Sequence, residues 1–101
     1  MKRIINGKMY DTDTATLVAD YQYLDYGDWE YEREELYIKK TGEWFLYGEG
    51  GLYSKYGIQC GSNRRCSGED IKPFTKEEAR KWLEDSKCTD EYIQYFGQPE
   101  E

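Results

Sequence analysis

Three cysteines offer the clearest site chemistry in this 101-residue chain, which contains no histidine. Cys60 and Cys66 flank a loop rich in Gly, Ser and Asn, and Cys88 lies between two predicted helices. Structural zinc sites are tetrahedral and favour thiolate sulfur, so three cysteines and a fourth ligand would complete one. Without histidine, that fourth ligand must be a carboxylate, another side chain or water. The carboxylates nearest in sequence are Asp70, Asp85 and Asp90.

The same cysteines allow two simpler interpretations, which stay open. They are unrelated free thiols, or Cys60 and Cys66 form a disulfide during purification. An odd cysteine count in a chain of cytosolic character argues against a full disulfide framework. Five residues separate Cys60 from Cys66, a looser spacing than that of common zinc loops. We expect a structural zinc held by Cys60, Cys66 and Cys88.

Side chains suited to catalysis are scarce. The absence of histidine excludes an imidazole base and a Ser-His-Asp triad, and it leaves a cysteine nucleophile without its usual activator. Glu35, Glu43 and Glu49 lie on or beside an aromatic-rich hairpin that superficially resembles a sugar platform. Glycoside hydrolysis needs paired carboxylates across a substrate pocket, and so short a chain has no sizeable pocket-forming region. We expect no enzymatic activity.

The negative charge is concentrated in one quarter of the sequence. The chain carries −7 overall, whereas residues 11–35 hold nine acids against Arg33 alone and so carry −8. Such a field steers a protein towards a basic surface and away from polyanions, which argues against direct binding of nucleic acid. The simpler interpretation is an ordinary solvated face.

Aromatic residues interleave with these acids and favour a binding surface over that simpler interpretation. Tyrosine and tryptophan are the residues that most often anchor protein interfaces. The aromatic residues are Tyr21, Tyr23, Tyr26, Trp29 and Tyr31. The predicted partner-binding residues are Asp25, Asp28, Trp29, Glu30, Glu32 and Glu34.

Two hairpins and a short helix are predicted in the N-terminal half. Asn6 and Gly7 tolerate positive φ and separate two short strand-like runs, which predicts a tight hairpin. Apolar residues at helical spacing predict a helix over about residues 13–21. Residues 30–39 and 43–47 predict a second hairpin. Its first strand needs a bulge near Glu34 and Glu35, or burial beginning only at Leu36, to reconcile its alternating pattern.

The C-terminal half predicts one more strand and two helices. Residues 71–74 can form an edge strand because Pro73 cannot donate to a ladder. Thr75 and Glu78 match a capping box that opens a helix, and a last helix ends at Gly97. The expected fold is α+β, a small antiparallel sheet built from hairpins with short helices packed on one side. Residues 1–97 form its single domain, and residues 98–101 form a frayed tail.

Location follows from what the sequence lacks. No apolar run approaches the roughly 20 residues of a membrane span, so we expect no membrane partner. The N-terminus becomes polar too soon for a secretory signal. We therefore expect a cytoplasmic protein.

Four blocks resemble a known family. They are YDTDTA at 10–15, EELY at 34–37, GEWFLYGEGG at 42–51 and EARKW at 78–82. Together they resemble small phage and mobile-element proteins that include type II-A anti-CRISPR proteins. The resemblance spans roughly residues 4–82, and FLYGEGG at 45–51 is its most distinctive part.

That resemblance implies inhibition by binding, with no catalytic residues to transfer. The sequence therefore predicts an anti-CRISPR protein that binds a type II-A Cas9 effector stoichiometrically in the bacterial host cytoplasm. Its acidic, aromatic-rich surface would block target DNA loading, because the channel of the effector that holds nucleic acid is basic. The alternative is a zinc-stabilised structural or regulatory phage protein that binds another host partner.

Overall fold

Eight strands and two helices make up the fold, and the α+β class expected from the sequence is confirmed. The structure is a computed structural model that describes residues 1–101. The strands are β1 (Lys2–Ile5), β2 (Lys8–Asp11), β3 (Thr16–Tyr23), β4 (Glu32–Ile38), β5 (Trp44–Gly50), β6 (Ile58–Gly61), β7 (Arg64–Cys66) and β8 (Gly68–Phe74). The helices are α1 (Lys76–Asp85) and α2 (Thr89–Phe96). Neither helix has the length and apolar character needed to span a bilayer.

A four-stranded antiparallel sheet of order β3-β4-β5-β8 forms the centre of the molecule. Strands β4 and β5 pair without a break from Glu32 opposite Gly50 to Ile38 opposite Trp44. Strand β8 is an edge strand, as Pro73 predicted. Two-stranded hairpins β1-β2 and β6-β7 lie outside this sheet.

Alternation along β4 and β5 builds a separate core on each face of the sheet. On one face, Leu36, Trp44 and Leu46 pack against Ala79, Trp82 and Leu83 of α1. Trp44 also contacts the rings of Tyr95 and Phe96 in α2. The other face carries a second cluster that the β1-β2 hairpin covers. Its buried members are Tyr10, Tyr37, Phe45 and Ile71.

Local sequence signals placed several boundaries correctly. Asn6 and Gly7 have φ of 52° and 78°, the left-handed pair that a tight hairpin turn requires. At the start of α1, Glu78 N donates to Thr75 Oγ1 over 3.1 Å, and Thr75 N donates to Glu78 Oε1 over 2.9 Å. This reciprocal capping box satisfies two amide groups that a helix end leaves without partners.

The helix predicted over residues 13–21 is wrong, since most of this segment belongs to β3 (Thr16–Tyr23). Leu17 pairs with Tyr37 and Ala19 pairs with Leu36, so Val18 is an extra residue in a β-bulge. The bulge places both Val18 and Ala19 against the helix-side core. Two adjacent apolar residues on one face give the sequence a spacing like that of a helix. A helix this short is marginal by itself, whereas pairing with β4 satisfies the backbone of the whole segment.

The irregularity predicted in β4 is also wrong. Strand β4 keeps an unbroken register with β5, and the bulge lies in its other neighbour, β3. Glu34, Leu36 and Ile38 share one face, as strand alternation requires. The pattern looked inconsistent because Glu34 is itself buried, with 7% of its surface exposed.

Candidate functional site

Glu34 is a buried carboxylate with three donors. Trp82 Nε1 donates to Glu34 Oε1 over 3.0 Å, and Lys55 Nζ lies 2.9 Å from Oε2. The Tyr56 hydroxyl also donates to Oε2. Burial alone would raise the pKa of Glu34, but these hydrogen bonds outweigh it and lower that pKa below its ordinary value of 4.5. Glu34 therefore holds elements of the fold together and does not lie on the predicted binding surface.

Gly48 gives Tyr56 access to Glu34. Gly48 lies directly opposite Glu34 in the β4-β5 register. A Cβ atom at Gly48 would lie 1.9 Å from Cζ of the Tyr56 ring. Only glycine leaves room for this ring, which accounts for the first glycine of the GEGG block.

The structure brings four of the predicted binding residues together in the exposed loop between β3 and β4. They are Asp25, Asp28, Trp29 and Glu30. Asp28 Oδ2 accepts a hydrogen bond from Asp25 N over 3.0 Å, which folds the loop back on itself. Glu32 begins β4, is half-buried and lies 4.0 Å from Lys55 Nζ. Five of the six predicted residues thus occupy one end of the sheet together, and Glu34 lies inside the protein.

Large aromatic rings stay exposed on this loop. Trp29 is 65% exposed and Tyr26 is 87% exposed. Trp29 meets Tyr53 edge to face at 5.7 Å between ring centroids, and Tyr26 meets Tyr31 in the same way at 5.5 Å. Each ring therefore has one aromatic neighbour and much of its surface in water.

A cavity of about 510 Å³ opens between this loop and the adjoining ends of β5 and β8. We call it the acidic cleft. Its aromatic and acidic lining residues are Tyr26, Asp28, Trp29, Tyr31, Glu49 and Glu69. No lysine or arginine lines it. The sequence predicted Asp28 and Trp29 as binding residues. It named Glu49 only among the carboxylates considered for glycoside hydrolysis and missed Glu69, and the two acids meet only through the β5-β8 register.

Tyrosine hydroxyls connect the two strand carboxylates of the cleft. Tyr31 donates to Glu49 Oε1 over 3.1 Å. The Tyr47 hydroxyl lies 3.1 Å from Glu49 Oε2 and 2.6 Å from Glu69 Oε2. Burial, together with these carboxylates, raises the pKa of both Tyr31 and Tyr47. Both phenols thus stay protonated, and Tyr47 has one proton for two carboxylates.

Most acids on the central sheet have a cationic partner. Five of its seven acids lie within 4.0 Å of a lysine or arginine: Asp20, Glu32, Glu34, Glu35 and Asp70. The other two are Glu49 and Glu69 of the acidic cleft. The cleft therefore combines two neighbouring negative charges with exposed aromatic rings, an arrangement that can bind a cationic group.

The cysteines are arranged differently from the predicted zinc site. Cys60 and Cys66 form a disulfide across the β6-β7 hairpin, with their Cα atoms 5.9 Å apart. Cys88 is a free thiol at the start of α2, and burial raises its pKa. No group of three or more His, Cys, Asp or Glu residues is placed to hold a metal ion. The disulfide is one of the alternatives that the sequence left open.

Zinc binding and cytoplasmic location both stay predictions. Disulfide sulfur is not a thiolate ligand, so zinc at Cys60, Cys66 and Cys88 would require the reduced chain. Elemental analysis of protein purified under reducing conditions tests it, and less than about a tenth of an equivalent of zinc contradicts a structural site that binds this metal tightly. Disulfides are rare in reducing compartments, so alkylation of free thiols at cell lysis, before any reductant is added, shows whether the Cys60–Cys66 pair exists in the cell.

No known protein family, curated protein or solved structure matches this chain.

Proposed function

We propose that this protein is a stoichiometric Cas9 inhibitor, an anti-CRISPR protein that binds a type II-A effector in the bacterial cytoplasm. The observation that carries the proposal is the acidic cleft with the exposed Trp29 beside it. An indole and several carboxylates without cationic partners are the groups that dock onto a basic surface. The resemblance of residues 4–82 to phage proteins supplies the choice of target.

The protein would inhibit by occupying the channel of the effector that otherwise holds nucleic acid. A Cas9-type effector holds its guide–target duplex in a positively charged channel. Carboxylates at the end of the sheet would take the place of phosphate charges there and prevent target DNA from entering. The aromatic rings would supply the apolar contact that charge alone lacks, since interface energy concentrates in buried aromatic anchors. No covalent step is needed.

Titration of a purified Cas9–guide complex with this chain tests the proposal directly. Cleavage of a target duplex should fall linearly and stop near one equivalent of the chain. Added salt should weaken the inhibition because it screens the charges on both surfaces. Undiminished cleavage at a large molar excess across several type II-A effectors would overturn the proposal.

A charge-matched pair of variants locates the binding surface. The double substitution Asp28→Lys with Glu30→Lys reverses two charges beside Trp29, and it should abolish inhibition. The double substitution Glu84→Lys with Glu100→Lys makes the same change in net charge at exposed positions elsewhere. The second variant should inhibit like the parent protein. Equal loss in both would mean that net charge, and not this surface, determines binding.

An apolar pair tests the anchor. Trp29→Ala should weaken inhibition at least about tenfold, as expected of an interface hot spot. Leu17→Ala removes a side chain of comparable exposure from the other end of the sheet and should have no effect. Neither side chain is buried, so both variants should fold.

A further inference from the structure

We infer that the acidic cleft binds one guanidinium group, contributed by an arginine side chain of the protein partner. This inference deepens the proposed function and rests on it for the identity of the partner. The binding chemistry itself is a property of the cleft and can be tested without any partner protein.

The first reason is a negative charge that the fold leaves without compensation. Glu49 and Glu69 lie directly opposite each other on β5 and β8. Like charges in this position repel each other. Tyr47 offers a single proton to both, and no lysine or arginine reaches either. The aromatic lining residues Tyr26, Trp29 and Tyr31 form what we call the aromatic wall of the cleft. A cation between this wall and the two carboxylates would relieve the repulsion.

The second reason is the exposed aromatic wall. A cation over an aromatic face gains more as it is desolvated, and tryptophan is the best such face. The chain already uses this contact three times. Lys39 Nζ lies 3.7 Å from the Tyr10 ring centroid, Arg80 Cζ lies 5.1 Å from that of Phe96, and Lys55 Nζ lies 5.6 Å from that of Tyr56. Trp29 has no cation of this chain over it, and its ring borders the cleft. The wall therefore favours a cation supplied from outside.

Arginine fits this arrangement better than lysine does. A guanidinium is planar, so one face can stack on an indole while its edge donates to two carboxylates. An ammonium is a compact, strongly hydrated charge without a planar face to stack on the indole or a fixed pair of parallel donors for the carboxylates. The paired carboxylates beside an aromatic ring therefore predict selectivity for arginine.

The cleft is held in shape by backbone hydrogen bonds. Gly51 N donates to Tyr31 O over 2.8 Å, and Tyr53 N donates to Trp29 O over 2.8 Å. A Cβ atom at Gly51 would lie 2.5 Å from Trp29 O, so glycine lets the two segments approach. A cavity of about 510 Å³ is within the usual range of ligand sites. It opens to solvent, as entry of a side chain from a partner surface requires.

Nuclear magnetic resonance titration of the isolated chain tests the inference. The probes are N-acetyl-arginine amide, its lysine counterpart and the citrulline counterpart, which has nearly the shape of arginine without its charge. Gly27, Gly50, Gly51 and Gly68 line the cleft and report through their amide signals. Gly42 and Gly97 lie outside it and serve as internal controls.

Arginine amide should shift the cleft glycines in a saturable manner and leave the control glycines in place. Citrulline amide should bind about tenfold more weakly or not at all, since it makes neither cation–π contacts nor charge-assisted hydrogen bonds. Lysine amide should fall between them. Equal binding of arginine and citrulline, or no saturable shift with arginine, would overturn the inference. Tighter saturation by Mg²⁺ or Ca²⁺ alone would replace it with a metal site.

Charge-neutral variants then locate the binding groups and separate the two proposals. The double substitution Glu49→Gln with Glu69→Gln keeps acceptors for Tyr31 and Tyr47 and should weaken arginine binding about tenfold. Glu84→Gln with Glu100→Gln removes the same two charges at exposed positions outside the cleft and should change nothing. If the chain binds arginine but does not inhibit Cas9, only the proposed effector target is refuted and the arginine site stands. Full Cas9 inhibition by the double variant would refute the cleft as the anchor and leave the inhibitory function standing.

Discussion

Two groups of carboxylates on the central sheet have opposite surroundings. Glu34 faces the helices and receives hydrogen bonds from Lys55, Tyr56 and Trp82. Glu49 and Glu69 lie on the opposite face and have only tyrosine hydroxyls as partners. The sheet therefore uses one acid to hold the fold together and leaves two others available to a partner.

The difference comes from the elements that reach each site. Glu34 lies in β4, its partners Lys55 and Tyr56 follow β5, and Trp82 belongs to α1. Its carboxylate thus ties three parts of the chain together. The tyrosines that reach Glu49 and Glu69 lie in β5 or directly before β4, so their hydrogen bonds join only strands that the sheet already pairs. Removing a negative charge should consequently change the free energy of unfolding more at Glu34 than at Glu49 or Glu69.

Truncation of Glu34 should give the largest effect. Glu34→Ala leaves the Trp82 indole, the Tyr56 hydroxyl and the Lys55 ammonium without their shared acceptor. Each of the indole and the hydroxyl left without an acceptor costs about 1–3 kcal/mol of unfolding free energy, whereas the Lys55 side chain is 59% exposed and regains water. Urea denaturation followed by tryptophan fluorescence measures it, with Glu84→Ala as the exposed control. A loss no larger than that of the control would show that this network contributes nothing.

Filling the space that Gly48 leaves for the Tyr56 ring should give the second-largest loss of stability. Gly48→Ala places a methyl group where the Tyr56 ring lies, so the ring must shift away from Glu34. Overpacking of this kind costs about 1–3 kcal/mol. Gly61→Ala in β6 is the matched control, because the nearest atom to its new Cβ is 3.7 Å away. The two variants should therefore differ in urea midpoint although both replace a strand glycine by alanine.

The hydrogen bonds to Glu34 should also make the free energy of unfolding depend on pH, and this effect should be smaller than the two above. The pKa of Glu34 is lowered in the folded protein, so its ionised form adds stability that is fully present above its unfolded pKa. That stability is lost as pH falls through the folded pKa. Glu34→Gln should remove this share of the pH dependence and leave a shallower loss of stability as the pH falls below the ordinary carboxyl pKa of 4.5. Parallel slopes for the parent and variant proteins would contradict the assignment.

Short-range patterns predicted the parts of the fold that local chemistry determines. The turn at Asn6 and Gly7 and the capping box at Thr75 need only neighbouring residues, and both are correct. Strand β3 was missed because its bulge at Val18 gives helical spacing and its stability comes from pairing with β4. The sequence alone had no means of showing that pairing.

The candidate site was predictable in part for the same reason. The loop acids and Trp29 are contiguous in the sequence, so their charge and aromatic content were visible. Glu34 was misplaced because Tyr56 and Trp82 reach it from 22 and 48 residues away. The pairing of Glu49 with Glu69 was missed because their proximity depends on the register of β5 and β8. Long-range contacts decide which of several similar acids is buried and which is available.

Neutralising a cleft acid should give the smallest effect on stability, because it relieves a repulsion between facing carboxylates and breaks no link between separate elements of the fold. Glu69→Gln keeps an acceptor for Tyr47 and removes one of two facing negative charges. The unfolding free energy should stay within about 0.5 kcal/mol of the parent value and should not fall. Because repulsion between exposed charges is screened by salt, any gain should shrink as salt is added. A loss as large as that of Glu34→Ala would mean that the cleft acids also hold the fold together, and the distinction between the two groups of carboxylates would then be lost.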